Sequence, residues 1–143
     1  MCMFNKLIHV MLTEMPFGNV VVKLRLTGAQ IWEALENGVS QVENNAGRFP
    51  QVSGLSFIYK KDAAKGSRIV SVKIGGQKLN KNRSYTVATN NYAAGGGDGY
   101  SVFKKGAVLI NENGGTLLAG MVMNYIKANG SVSPKVEGRI VAQ

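Results

Sequence analysis

The sequence predicts an α+β fold. Two kinds of periodicity run through it: four stretches alternate apolar and polar residues with the period of a strand, at residues 19–26, 53–60, 68–75 and 84–90, while residues 27–43 and 116–128 carry apolar stripes at helical spacing. The segments between the strands, KKDAAKGSR and GGQKLNKN, have the Gly, Lys and Asn content of turns. At 143 residues the chain fits one domain, residues 1–143, and is long enough to bury a real core. No internal repeat, low-complexity tract or composition shift marks a second unit.

From the start of the chain, FNKLIHVMLTEM places Phe4, Leu7, Ile8, Met11 and Leu12 on one helical face, with Asn5 as a cap and Pro16 as the stop. NVVVKLRL then alternates Val20, Val22, Leu24 and Leu26 against Val21, Lys23 and Arg25, a strand with one wetter face. Thr27 and Gln30 have the spacing of a capping box that opens a helix running to about Glu43, with the stripe Ile31, Leu35, Val39 and Val42 interrupted by Gly38. Strands follow in GLSFIYK (Leu55, Phe57, Tyr59), RIVSVKIG (Val70, Val72, Ile74) and SYTVATN (Tyr85, Val87, Thr89). VFKKGAVLI is too short to declare either period. TLLAGMVMNYIKANG reads as a helix on Leu117, Leu118, Met121, Val122 and Tyr125, closed by Asn129-Gly130. GRIVA is a last strand.

Seventeen Lys and Arg against eight Asp and Glu give a net charge of +9, which raises the question of nucleic acid. The positive charge is scattered, however: the longest basic runs are the pairs Lys60-Lys61 and Lys104-Lys105, and residues such as Lys23, Arg25 and Lys73 stand singly on alternating strand positions. With no basic tail or arginine-rich helix, the sequence argues against a nucleic-acid partner and fits better with steering of a phosphorylated small molecule. No apolar run approaches a membrane span, and no signal peptide opens the sequence. Cys2 has no disulfide partner. The chain reads either as cytoplasmic or as a piece of a longer secreted protein.

Hydrolytic chemistry needs a metal cluster or a nucleophile with its base. The one histidine, His9, sits among apolar neighbours and reads as a tolerated helix residue, and acids are sparse. No catalytic residue and no metal ligand is assigned, and the chain is expected to be inactive alone. NNYAAGGGDGY, residues 90–100, lacks the Lys-Ser/Thr ending of a P-loop, the GxGxxG spacing and the acidic start of a calcium loop. Its glycines, Gly96 and Gly97 among them, let the backbone take positive φ and approach a ligand closely while presenting Asp98. Read by itself, the stretch is equally a glycine-rich turn whose aspartate caps its own backbone.

MPFGN at 15–19, LTGAQIWEAL, GRFPQVSGL at 47–55, NNYAAGGGDGY and VEGRI occur in the order and spacing of the C-terminal domain of the 5'-nucleotidase family, which the sequence resembles from about Phe4 onward. That family includes ecto-5'-nucleotidases, bacterial UDP-sugar hydrolases and 2',3'-cyclic-nucleotide phosphodiesterases. The resemblance implies layers of helix, sheet, sheet and helix. It also implies a division of labour, in which an N-terminal metallophosphatase domain holds two divalent metal ions and the catalytic pair, and the C-terminal domain holds the nucleoside. Residue by residue, it implies that Phe17 and Tyr92 sandwich the base and that Asp98 accepts from the ribose hydroxyls. Phe17 alone would read as a core aromatic; its pairing with the Tyr92 loop favours the ligand. Stacking tolerates different bases, and an ionised carboxylate can accept from both hydroxyls of a diol.

The family's Asn-Gly-Gly-Gly-x-Arg segment, which contacts base and phosphate, has no counterpart here, nor has the metal domain. The sequence therefore reads as an excised or truncated substrate-recognition domain, with no cofactor of its own and weak, poorly base-selective binding of a nucleotide or nucleoside. The alternative is a non-catalytic interaction or structural domain that keeps the fold. By resemblance the full-length enzyme would be periplasmic or extracellular.

Overall fold

The computed structural model describes residues 13–143. The helix expected over Phe4–Met15, with His9, lies outside the described residues except for its end, where Thr13 and Glu14 are helical.

β1 (Val20–Thr27) is the centre of the first sheet. Its alternation is the one the sequence announces: Val22, Leu24 and Leu26 are buried, while Lys23 and Arg25 point to solvent. α1 (Gly28–Gly38) starts at once, because Thr27 and Gln30 form the capping box: Gln30 N donates to Thr27 Oγ1 at 3.2 Å and Thr27 N donates to Gln30 Oε1 at 2.7 Å. Its inner face, Ile31, Ala34 and Leu35, joins the core.

The helix stops at Gly38, five residues before the expected Glu43. At Gly38 a Cβ would stand 2.7 Å from Pro50 Cδ and 2.8 Å from the Tyr100 hydroxyl, so the end of α1 is a point of close approach by two other segments. The chain turns there, and Val42–Asn44 forms a 3-10 turn. The apolar stripe still marks the interior, since Val39 is fully buried and Val42 packs against the core.

The second sheet is built from β2 (Leu55–Tyr59), β3 (Ile69–Ile74) and β4 (Gln77–Lys78), with β8 (Ile140–Ala142) parallel to β2 on the far side. The first sheet runs β5–β1–β6, from β5 (Ser84–Asn90) and β6 (Ala107–Ile110), and β7 (Thr116–Leu117) pairs with the start of β1. Phe57, Tyr59, Ile69 and Val72 from the second sheet meet Leu24 and Leu26 from the first in one core that includes α1.

A buried ion-bearing network fastens α1 to β3. The Glu36 carboxylate accepts from the backbone N–H of Arg68 and of Ile69, both at 2.9 Å, and the buried Arg68 donates to Val39 O at 2.6 Å and Glu43 Oε2 at 2.9 Å. The Arg68 hydrogen bond holds the Glu43 carboxyl down at about 2.

The last helix, α3 (Leu118–Asn129), begins two residues later than the sequence suggests because Thr116 and Leu117 first pair with β1. Gly130, at φ 71°, ends it as expected. Met121 and Tyr125 of its apolar stripe are exposed, and Ala119 is the buried residue.

Candidate functional site at the Tyr92 loop

The loop after β5 opens with two asparagines, and each has a structural task. Asn90 Oδ1 accepts from Ala93 N at 2.7 Å and caps α2 (Asn91–Ala94). Asn91 Oδ1 accepts from Val20 N at 3.1 Å, which ties the loop to the first residue of β1. The MPFGN turn runs into that residue. Val21 also pairs with Asn90, so Phe17 and Tyr92 issue from neighbouring loops at the same end of the first sheet. Both side chains are exposed, 75% for Phe17 and 55% for Tyr92, which sets them apart from the buried aromatics Phe57 and Tyr59 and removes the core reading of Phe17.

The remaining residues predicted for the site lie together in the turn that follows. Gly96 takes φ 89°, and Lys104 lies across it. The Tyr92 ring lies so close to Gly97 that any Cβ there would overlap Cε1, Cζ and Cδ1. Glycine at this position is what lets the ring settle on the backbone. The Tyr92 hydroxyl donates to Asp98 Oδ1 at 3.3 Å, so the exposed ring and the exposed carboxylate are presented side by side from one loop.

Asp98 has a left-handed backbone, φ 52° and ψ 25°. Its carbonyl accepts from Asn37 Nδ2 at 3.1 Å. Tyr100, the second tyrosine of the loop, is an anchor: its hydroxyl donates to Arg48 O at 2.6 Å and its ring stacks on Phe103, with centroids 5.1 Å apart. Burial, reinforced by the Asp98 charge, pushes the Tyr100 phenol up to about 12, so it stays a hydrogen-bond donor at neutral pH. Asn37, Arg48 and the role of Tyr100 escaped the sequence reading, because the contacts join residues 61 and 52 positions apart and no local spacing signals them.

The arrangement can stack a flat ring and accept hydrogen bonds from a diol. Among the described residues no three His, Cys, Asp or Glu side chains gather, so they do not fit a metal centre and no metal-dependent step is assigned to them. A concavity of about 310 Å³ on the outer face of the first sheet is lined by Lys23, Thr86, Ala88, Ile110 and Met121, among others, and by none of the loop residues.

The family model of the 5'-nucleotidase C-terminal domain matches residues 9–105. The chain belongs to the 5'-nucleotidase family, as its C-terminal domain. It is 45% identical over 135 residues to the trifunctional nucleotide phosphoesterase protein YfkN of Bacillus subtilis, covering 90% of this chain and 9% of that protein. A snake venom 5'-nucleotidase from Gloydius brevicauda is 33% identical over 135 residues, covering 89% and 23%. Among solved structures, that of a 5'-nucleotidase precursor from Thermus thermophilus superposes with a TM-score of 0.86 at 38% identity, covering 94% of this chain and 27% of that one. The chain therefore spans about a quarter or less of the length of these relatives. The mixed helix-and-sheet fold is that of 5'-nucleotidase C-terminal domains.

Proposed function

We propose that this domain recognises the nucleoside part of a nucleotide for a metallophosphoesterase, stacking the base between Phe17 and Tyr92 and holding the ribose through Asp98. The observation that carries the reading is the Tyr92–Gly97–Asp98 unit: a ring seated on glycine with one exposed side, its hydroxyl touching a carboxylate that is itself exposed. A ribose diol would meet this carboxylate with both hydroxyls. A carboxylate has about four lone-pair sites, enough to accept from a diol and to keep the Tyr92 contact. Gly96 and Gly97 let the backbone come close without a side chain in the way.

The relatives that match most of this chain include proteins named as nucleotide phosphoesterases and 5'-nucleotidases, which supports nucleotides as the ligand class. In the full-length enzyme the two divalent metals and the phosphate chemistry would belong to an N-terminal metallophosphatase domain, the natural partner of this one. A venom enzyme and a precursor among the relatives favour an extracellular or periplasmic setting for that enzyme. Two stacking faces at roughly 1 to 3 kcal/mol each, offset by the cost of ordering the ligand, place the affinity of the isolated domain for adenosine on the order of millimolar.

Chemical-shift titration with adenosine tests this. Saturable shifts centred on Phe17, Tyr92 and residues 96–98 are expected. Absence of any shift there up to about 20 mM, well past the millimolar range, would favour the alternative of a non-catalytic interaction domain.

A further inference from the structure

Asp98 is held in a conformation that L-residues disfavour, with φ 52°, and among the described non-glycine residues it shares positive φ with Asn45 alone. Aspartate tolerates this region better than most residues, and a contact to its main chain adds to that tolerance. The contact comes from another element: Asn37, in the last turn of α1, donates from Nδ2 to the Asp98 carbonyl at 3.1 Å. The same amide lies against the next residue, since a Cβ on Gly99, at φ 81°, would stand 2.7 Å from Asn37 Oδ1. The amide oxygen is engaged as well. Its Oδ1 accepts from Arg48 Nη1 at 3.4 Å, Arg48 Nη1 also donates to Ser40 Oγ at 3.5 Å, and Ser40 Oγ donates to Asn37 O at 2.6 Å. Arg48 is joined back to the loop through its carbonyl, which accepts from the Tyr100 hydroxyl at 2.6 Å. Together with the chain from Asp98 to Tyr100, these hydrogen bonds close a ring through Arg48 and back to Asn37.

We infer that Asn37 is the positioning residue that aims the Asp98 carboxylate at the ribose diol, acting through the Asp98 main chain; this rests on the ribose reading of Asp98. The main chain that Asn37 holds sets the direction of the Asp98 Cα–Cβ bond, so a change at Asn37 moves the base of the acceptor side chain without touching the ligand. The stacking ring is seated on Gly97, its loop is tied down by the Asn90 and Asn91 contacts, and it meets the Asp98 carboxylate through its hydroxyl tip alone. Asn37 therefore acts chiefly on sugar recognition, because the seat of the ring on Gly97 does not involve its amide.

The test is a ratio. Dissociation constants for adenosine and for 2',3'-dideoxyadenosine are measured by chemical-shift titration on the 143-residue chain and on Asn37→Ala, Asn37→Asp and Asp98→Asn. Asn37→Asp is nearly isosteric and keeps an acceptor for Arg48, but sets an oxygen against the Asp98 carbonyl. Both Asn37 variants are expected to lower the preference for the ribonucleoside by about threefold or more, the scale of one lost hydrogen bond, with dideoxyadenosine affinity unchanged. A residue that only stabilises the fold would weaken both ligands together or lower the melting temperature with the ratio intact; either result overturns the inference. If Asp98→Asn removes the preference while both Asn37 variants keep it, the inference falls and the ribose reading stands. If Asp98→Asn itself keeps the preference, the ribose reading falls and takes the inference with it.

Discussion

Tyr92 combines an apolar face with a polar tip, and the two are fixed by different neighbours. Gly97 receives the ring and Asp98 receives the hydroxyl. Replacing Gly97 by Ala forces a methyl group into the ring, and the ring must leave. Gly97→Ala is therefore expected to weaken adenosine by about tenfold, as Tyr92→Ala would, because each removes one stacking face; titration at an unchanged melting temperature checks it. Tyr100 differs from Tyr92 in being anchored to Arg48 O and stacked on Phe103. Its phenol is raised from 10.0 to about 12, so the folded state holds this proton more tightly than the unfolded state. Its contribution to stability is whole below about pH 10 and is lost as pH rises towards about 12. Tyr100→Phe should cost about 1 kcal/mol at neutral pH through the lost hydrogen bond. Urea unfolding at a series of pH values should show the gap between the two proteins closing across that alkaline window.

At the scale of elements, the sequence was most legible where a local rule decides. The alternation of β1 and the capping box of α1 appear where expected, as do the strand pair of β2 and β3 and the full span of β5. Helix ends were less legible, since they depend on distant segments: Pro50 and Tyr100 meet α1 at Gly38, and β1 takes Thr116 and Leu117 before α3 can begin. The seat of α1 on β3 was equally hidden. Glu36 lies within a helix whose one other acid, Glu33, is exposed, and it becomes the acceptor for two buried N–H groups 32 and 33 residues away. Glu36→Ala leaves both donors without a partner, and each such group costs about 1 to 3 kcal/mol. A loss of at least about 2 kcal/mol in denaturant unfolding is expected, against a few tenths for the exposed Glu33.

Over the whole molecule, two sheets and α1 share one core, and the Tyr92 loop sits on the rim where β1 begins and β5 ends. Part of that loop could be read in the sequence because Tyr92, Gly96, Gly97 and Asp98 are close along the chain. Phe17 could be placed beside them only by resemblance, and Asn37 and Arg48 only by the fold. Among the described residues no three His, Cys, Asp or Glu side chains gather. If the proposed division of labour between two domains holds, the purified chain releases no phosphate from AMP and no UMP from UDP-glucose with added divalent metal; turnover that follows the protein and is lost with a chelator would contradict this. The central claim is that Asp98 reads the sugar while the rings read the base. The most direct measurement compares Asp98→Asn with the unmodified chain, titrating each with adenosine and with 2',3'-dideoxyadenosine. Adenosine affinity should fall by about tenfold, because a charged acceptor is replaced by a weaker one with its own donors, while dideoxyadenosine affinity stays the same. Equal loss for both ligands would show that Asp98 serves the turn and not the substrate.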